Sequence, residues 1–401
     1  MSPGPVASGL ALLLSSVMRF VVGLLVLLAV SGNAQLRPGA ARAAGMSPEG
    51  LEAAAAILKG EVESGKLGAA SILVARRGQI VLHRGFGKRG PGRGGAPVAP
   101  DAVYLLASIT KPVAVSALLL LVDRGLVRLD DPVVKYLPEF RAADRAAVRV
   151  RDLLSHISGL PDMLPENIEL RRAHAPLSRF VAATMTTPLL YAPRTDFRYQ
   201  SMGTLLAGEI VERVTKQRLR DFLRQEVFVP LGMRGSALGL PAGGEISDTV
   251  WCDEGPNPNR ADSERFGPNS PYWRDMGHPW GGMHSTTTDL ALLLQTFLAK
   301  GMSRGKRWMS PASVTAMTTD QNTHLRHPWG LGWALGRSTA WMYFGDKNSA
   351  RTFGHSGATG TVAWANPELD LITVILTNRP VSADQGALLS RASNAVLAAV
   401  E

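Results

Sequence analysis

Apolar residues follow a strand pattern near both ends of the chain. Residues 69–75 and 79–85 are apolar or alternate with polar positions on either side of a short turn, and residues 360–365 and 371–377 repeat this arrangement. Each pair predicts a β-hairpin. Because the two hairpins bracket the chain, the simplest assembly joins them in one antiparallel sheet.

Helical spacing flanks and separates the hairpins. Ser47 is placed to cap a helix that begins at Pro48, and apolar residues recur on one face through about residue 64. A closing helix is predicted over roughly residues 383–400, and the middle of the chain is mainly helical. The pattern predicts an α+β fold, an antiparallel sheet flanked by N- and C-terminal helices with a large, mainly helical insertion. We expect a sheet region of residues 47–104 and 350–401 and a helical region of residues 105–349.

The N-terminus carries a targeting pattern. Arg19 precedes an apolar run over residues 20–30, and the small residues Gly32 and Ala34 follow. This run is short for a membrane-spanning helix but suits a signal peptide. We predict a signal peptide over residues 1–34 with cleavage after Ala34, a spacer over residues 35–46, and an exported protein, periplasmic or extracellular. The alternative is a protein anchored in the membrane through the same segment.

Composition narrows the function classes. The 401 residues are 45% hydrophobic and 19% charged, as in folded globular domains. The net charge of +10 would suit an anionic partner, but the arginines are scattered along the sequence, so we predict a solvated basic surface and no nucleic-acid partner. Cys252 is the only cysteine, which excludes an intramolecular disulfide and multi-cysteine metal sites. No metal and no cofactor are predicted.

The first candidate for chemistry is Ser108-Ile109-Thr110-Lys111, followed by Pro112 and an apolar run over residues 113–122. Proline is best tolerated in the first turn of a helix, so we expect Ser108 at or beside a helix start. Lys111 then lies on the same face, within reach of the Ser108 hydroxyl, and the helix N-terminus directs N–H groups toward an oxyanion. A lysine flanked by buried turns is poorly hydrated, which favours an activated serine over a surface helix.

Two more motifs carry candidate chemistry. Tyr199-Gln200-Ser201 precedes a helix predicted over residues 202–216, and a tyrosine beside a lysine ammonium can lose its proton more readily and act as a base. The alternatives are a core tyrosine and, for Ser201, a helix N-cap. Gly354-His355-Ser356-Gly357 precedes the strand near residue 360, and the N–H groups of an edge strand there could bind a carbonyl oxygen.

In this order and at these separations, the three motifs resemble those of the serine β-lactamase and penicillin-binding-protein superfamily, in particular its class C-like branch of β-lactamase-related serine hydrolases. Residues 105–112, 123–133, 150–161 and 281–290 also resemble signatures of this family. The resemblance extends from about residue 46 to the C-terminus. It implies a β-lactamase/transpeptidase-like fold.

Carried over to this sequence, the resemblance implies that Ser108 is the acylated nucleophile and Lys111 its proton acceptor or electrostatic partner. Tyr199 would be the second acid/base, and which of the two takes the first proton is left open. The N–H groups of Ser108 and Ala358 would form the oxyanion hole. Further substrate contacts would come from His355, Ser356, Gly357 and Ser201. His156 and the Gly281-Gly282 turn are expected to be structural.

Two departures from the family pattern bear on the substrate. Ser201 stands where the family usually has asparagine, so an amide donor is missing. His355 stands where true lactamases and transpeptidases usually carry a lysine that recognises a substrate carboxylate, and this exchange resembles the esterase and aminopeptidase members. We therefore expect at most weak turnover of β-lactams.

These observations predict a serine hydrolase that acts through an acyl-enzyme on an ester, an amide or a D-amino-acid peptide. The partner is a small-molecule or peptide substrate, with a cell-wall-derived one as a candidate, and the oligomeric state is left open. One alternative is an α/β-hydrolase with Ser356 as nucleophile, although its G-x-S-x-G pattern is absent there. Another is a catalytically impaired binding or scaffold protein of the cell envelope.

Residues 255–271 are rich in Pro, Asn and Gly and predict a long loop that could cover the site.

Overall fold

The computed structural model describes residues 36–90, 95–241, 243–255, 260–338, 340 and 343–401. The predicted signal peptide lies outside these residues. The described strands are β1 (Arg37–Pro38), β2 (Ala69–Arg76), β3 (Gln79–Gly87), β4 (Tyr104–Leu105), β5 (Ala237–Leu238), β6 (Met283–Ser285), β7 (Met302–Ser303), β8 (Lys306–Arg307), β9 (Ala334–Leu335), β10 (Phe353–Gly357), β11 (Thr361–Asn366) and β12 (Leu371–Thr377).

The α-helices separate the strands along most of the chain, and a π-helical stretch, Arg224–Phe228, joins two of them. In chain order they are α1 (Pro48–Glu63), α2 (Thr110–Asp123), α3 (Val150–Leu154), α4 (Asn167–Arg172), α5 (Leu177–Thr186), α6 (Met202–Thr215), α7 (Leu219–Leu223), α8 (Val229–Leu231), α9 (Arg260–Phe266), α10 (Pro271–Met276), α11 (Thr287–Leu298), α12 (Pro311–Thr318) and α13 (Ala387–Ala398).

The main sheet joins strands from both ends of the chain, as the sequence predicts. Its seven strands lie in the order β1-β3-β2-β12-β11-β10-β9. All neighbouring pairs are antiparallel except β1 and β3, which are parallel. The N-terminal and C-terminal hairpins meet where β12 pairs with β2, from Leu371 opposite Arg76 to Thr377 opposite Ala70. The predicted α+β architecture is confirmed.

Both faces of the sheet are covered, which explains why its central strands are mostly apolar on both sides. All eight residues of β2 are buried. Ile72 and Val74 belong to a core between one face and the helices α1 and α13, whereas Leu73 and Ala75 belong to the larger core that includes α2. Alternate residues of a strand point to opposite faces, so a strand buried on both sides needs apolar residues in sequence.

Helix α2 is the centre of the larger core. Each residue from Thr110 to Leu121 is buried, so the helix is covered on all sides, as its nearly continuous apolar sequence requires. A small sheet in the order β4-β6-β5 lies at its N-terminal end. Because β4 directly precedes Ser108 and β6 directly follows the Gly281-Gly282 turn, this sheet brings the two segments together.

Strand β1 and the buried residues Ala44 and Met46 lie within residues 35–46, and β9 lies within residues 105–349. The spacer and the division into a sheet region and a helical region stay predictions. The loop expected over residues 255–271 is wrong for Arg260–Phe266, which form α9. Arginine, alanine and glutamate in this segment are good helix formers and outweigh the flanking Pro and Asn residues.

Candidate active site

Ser108 lies in a 3₁₀ turn, Ala107–Ile109, that leads directly into α2. Ala107 adopts a left-handed backbone conformation with φ +50°. The Thr110 hydroxyl donates to the Ala107 carbonyl at 2.7 Å and accepts from the Met283 N–H at 3.0 Å, which ties the turn to β6. The expected position of Ser108 beside a helix start is therefore confirmed.

Lys111 is buried directly behind Ser108. Its Nζ lies 3.0 Å from Ser108 Oγ and 3.0 Å from the Trp280 carbonyl oxygen, to which it donates. Only 1% of the residue is exposed. Burial lowers the pKa of Lys111 to about 7, although the Asp162 carboxylate acts in the opposite direction. Near neutral pH this amine is therefore uncharged in part of the molecules and can accept a proton.

Tyr199 contacts both of these residues. A hydrogen bond joins its hydroxyl to that of Ser108, and its ring centre lies 4.7 Å from Lys111 Nζ. Burial raises the pKa of Tyr199 well above its ordinary value, and the Asp162 carboxylate raises it further. Burial therefore opposes the easier proton loss expected beside a lysine, and the acid/base role of Tyr199 stays a prediction. The phenol stays protonated near neutral pH.

Ser201 is buried and hydrogen-bonded to Asp162, the carboxylate that acts on Lys111. Its hydroxyl donates to Asp162 Oδ1 at 2.6 Å, and only 1% of the residue is exposed. It occupies the N-cap position of α6 but makes no side-chain cap hydrogen bond. Asp162 is a site residue that the motifs do not reveal, and its one signal in the sequence is its place directly after the stretch of residues 150–161 that resembles a family signature.

His355 lies on β10 in a neutral form. Its Nδ1 is 2.7 Å from the Ser356 carbonyl oxygen, which can only accept, so Nδ1 carries the proton. Nε2 is then an acceptor, and it has no hydrogen-bond partner among the described residues. Burial, followed by the charge of Lys111, lowers the pKa of His355 to about 3. His355 thus presents no positive charge to a substrate.

His156 packs against the same group of side chains. Its Nδ1 accepts from the Gln200 N–H at 3.2 Å, and its ring centre lies 4.7 Å from that of Tyr199 and 4.8 Å from that of Trp329. Burial, with Lys111 and His355 nearby, lowers its pKa well below the ordinary value. A neutral imidazole in these contacts holds the backbone next to Tyr199, which agrees with the structural role expected of it.

The β10–β11 hairpin is bonded to the segment that precedes Ser108. The hydroxyls of Thr359 and Thr361 donate to the carbonyls of Leu105 and Leu106, both at 2.8 Å. A Cβ atom on Gly357 would lie 2.0 Å from the Leu106 carbonyl oxygen, so only glycine permits this approach. The hairpin therefore carries Ala358 to the edge of the site.

A cavity of 360 Å³, here called the active-site cavity, opens above Ser108. Ser108 and Ala358 line it together with apolar and aromatic side chains that include Met163, Trp273 and Trp280. The other site residues predicted from the sequence do not line this cavity: Lys111, Tyr199, Ser201, His355, Ser356 and Gly357. No three His, Cys, Asp or Glu side chains in the described part of the chain are grouped as metal ligands would be.

The match to a known family agrees with this geometry. A family model described as Beta-lactamase matches residues 54–398. The chain belongs to the β-lactamase family. The β-lactamase/transpeptidase-like fold and the resemblance to the serine β-lactamase and penicillin-binding-protein superfamily are confirmed. The antiparallel sheet does not fit the alternative of an α/β-hydrolase with Ser356 as nucleophile.

Relatives of this β-lactamase-family protein include enzymes of more than one kind. An Escherichia coli (strain K12) protein provisionally named a D-alanyl-D-alanine carboxypeptidase is 30% identical over 346 residues, which cover 78% of each chain. A penicillin-binding-protein homologue from Caulobacter crescentus has a TM-score of 0.71 at 26% identity and covers 88% of this chain and 99% of its own. A family VIII carboxylesterase has a TM-score of 0.69 at 24% identity, with 87% and 98% coverage, and shows the shared fold. The protein is a serine hydrolase of this superfamily.

Proposed function

We propose that the protein hydrolyses small esters and D-alanyl peptides through an acyl-enzyme formed on Ser108. The observation that carries this proposal is the 3.0 Å contact between Ser108 Oγ and Lys111 Nζ, which is buried behind the serine that lines the active-site cavity. A lysine whose pKa is about 7 is an effective base near neutral pH.

In the first step, Ser108 Oγ attacks the substrate carbonyl carbon while its proton passes to Lys111 Nζ. The N–H groups of Ser108 and Ala358 stabilise the oxyanion. When the tetrahedral intermediate collapses, the bond to the leaving group breaks and the leaving group takes the proton from the Lys111 ammonium, with the Tyr199 hydroxyl as relay. Since the pKa of Tyr199 is raised, Lys111 is the first base and Tyr199 a hydrogen-bond donor.

Deacylation repeats these steps with water. Lys111 takes a proton from a water molecule that attacks the acyl carbon, the bond to Ser108 Oγ breaks, and Ser108 recovers its proton from Lys111. No bound cofactor enters the balance.

The lining of the cavity supports esters as the first substrate class. Trp273, Trp280 and Met163 offer apolar surface to an acyl group. His355 is neutral, so it cannot bind a carboxylate as a lysine would. Because the Ser201 hydroxyl donates its single hydrogen bond to Asp162, it has no donor left for the acyl-amide carbonyl of a β-lactam. Weak β-lactam turnover follows.

One observation favours D-alanyl peptides as the second class. Arg171 lines the active-site cavity together with two carboxylates, Asp253 and Glu254. Its guanidinium lies 3.8 Å from the ring centre of Trp273 and donates to the Phe266 carbonyl. A guanidinium in this position can pair with the carboxylate of a short peptide. The name of the Escherichia coli relative supports the same class.

We also propose that the protein is exported and meets a cell-wall-derived substrate, with residues 1–34 as a cleaved signal peptide. Across the described ranges, no helix is long and apolar enough to cross a membrane. N-terminal sequencing of the protein from a bacterial host tests cleavage, and Gln35 is the expected first residue.

The activity is tested with the purified protein on a panel of a p-nitrophenyl ester, a D-alanyl-D-alanine peptide and a β-lactam. We expect turnover of the ester, slower turnover of the peptide and little of the β-lactam. Ser108→Ala should abolish all turnover. Ser356→Ala, at the nucleophile of the α/β-hydrolase alternative, should retain turnover even where a substrate contact of Ser356 is lost. Folded protein that turns over none of the panel would favour the scaffold alternative.

A further inference from the structure

A second cavity, of 650 Å³, lies apart from Ser108 and shares no lining residue with the active-site cavity. Its walls come from α7, the π-helical stretch, α8, β5 and the turn between β7 and β8. Its charged lining residues are Arg218, Arg220, Arg224, Arg234, Arg304 and Asp221. We call it the arginine cavity.

Two of the five arginines are paired. Arg218 Nε lies 2.8 Å from Asp221, and Arg220 Nη1 lies 3.2 Å from Asp275. The other three, Arg224, Arg234 and Arg304, are exposed, and their guanidinium groups make no ion pair or hydrogen bond within the part of the chain that the structure describes. A concave surface lined by like charges concentrates the electrostatic potential and attracts counter-ions.

The position of Arg304 depends on a glycine. Gly232 ends α8 with φ +76°, and a Cβ atom built on it would lie 1.8 Å from Arg304 Nη2. The Arg304 guanidinium therefore lies directly against the backbone of Gly232. Any larger residue there would displace the guanidinium from the cavity wall.

We propose that the arginine cavity binds a phosphate-bearing ligand. The guanidinium fork matches phosphate oxygens in a bidentate manner, and all five cations that line the cavity are arginines. The two paired carboxylates, Asp221 and Asp275, leave three of the five guanidinium charges unpaired, which suits a ligand that carries more than one negative charge. Since Val229 beside them is 65% exposed, the phosphate can belong either to a soluble molecule or to a lipid headgroup.

Binding is measured with sodium pyrophosphate by calorimetry, with citrate at matched ionic strength as the anion control. A second arm measures co-sedimentation with phosphatidylglycerol vesicles and with phosphatidylcholine vesicles. We expect binding of pyrophosphate or of phosphatidylglycerol, weakened at least about tenfold by Arg224→Glu, Arg234→Glu and Arg304→Glu together and weakened by added salt.

The matched control replaces three exposed arginines outside the cavity, Arg141→Glu, Arg179→Glu and Arg351→Glu, with the same change in net charge. Ester hydrolysis should be unchanged in both triple variants, which shows that they fold. Binding of pyrophosphate supports a soluble ligand, and binding of phosphatidylglycerol vesicles alone supports a headgroup. The proposal would be overturned if both triple variants lost binding equally or if citrate bound as well as pyrophosphate. It would also be overturned if neither pyrophosphate nor phosphatidylglycerol vesicles bound.

Discussion

The pH dependence of catalysis follows directly from the burial of Lys111. The lowering of its pKa from 10.5 to about 7 corresponds to a penalty of about 5 kcal/mol on the charged form. Below pH 7 the amine is protonated and cannot accept the Ser108 proton. The kcat/KM for a neutral ester should therefore rise with pH, reach half of its plateau near pH 7, and stand at about one hundredth of the plateau at pH 5.

The assay follows initial rates of ester hydrolysis between pH 5 and pH 9, corrected for the spontaneous reaction. The buried histidines do not compete for this assignment, because the pKa of His355 is about 3 and that of His156 is also lowered. Asp162→Asn should move the acidic limb toward lower pH, since the carboxylate that favours the Lys111 ammonium is gone while an oxygen remains to accept from Ser201.

The control for this variant is Asp346→Asn, an exposed aspartate whose side chain accepts from Asn394. It should leave the profile unchanged. A kcat/KM that is flat from pH 5 to pH 8, or an acidic limb that does not move in Asp162→Asn, would refute Lys111 as the base.

The remaining predictions concern the stability of the fold and the positions of the groups in the active site. Lys111→Met should abolish ester hydrolysis yet stabilise the fold by about 1–4 kcal/mol at pH 6, because the native amine is buried and charged at that pH. In urea unfolding, this gain in stability should shrink as the pH rises from 7 toward 10.5. A gain that does not depend on pH would contradict the prediction. Tyr199→Phe should lower kcat about a hundredfold with little change in melting temperature, because it removes a hydrogen bond to the nucleophile, and unchanged kcat would exclude the relay. Gly357→Ala should lower kcat about a hundredfold, because the added Cβ would press on the Leu106 carbonyl. The control is Gly60→Ala, whose Cβ meets nothing within 4 Å and which should stabilise α1 by about 0.5–1 kcal/mol.

The sheet was predictable because its strands have local signals. The sequence pattern places β12 at its observed bounds and both hairpins in one antiparallel sheet, since apolar runs that flank short turns leave few other arrangements. Strands β1 and β9 have two residues each and carry no period that a sequence pattern could reveal. Their pairing depends on neighbours that are distant along the chain.

The candidate site was predictable in its members but not in their charges. Motif order is enough to suggest Ser108, Lys111 and Tyr199, because each lies beside a helix start that the pattern indicates. The protonation states depend on burial by segments far along the chain, such as the one that places the Trp280 carbonyl on Lys111 Nζ. For this reason the sequence pattern favours a readily lost proton on Tyr199, whereas burial raises the pKa of this residue.

The central claim, that Ser108 is an activated nucleophile, is tested most directly by intact-mass spectrometry and peptide mapping after treatment with a fluorophosphonate probe, which needs no knowledge of the substrate. We predict a single adduct on Ser108, lost in Ser108→Ala and slowed in Lys111→Met. Folded protein that remains unlabelled, or an adduct that maps to Ser356, would contradict the account.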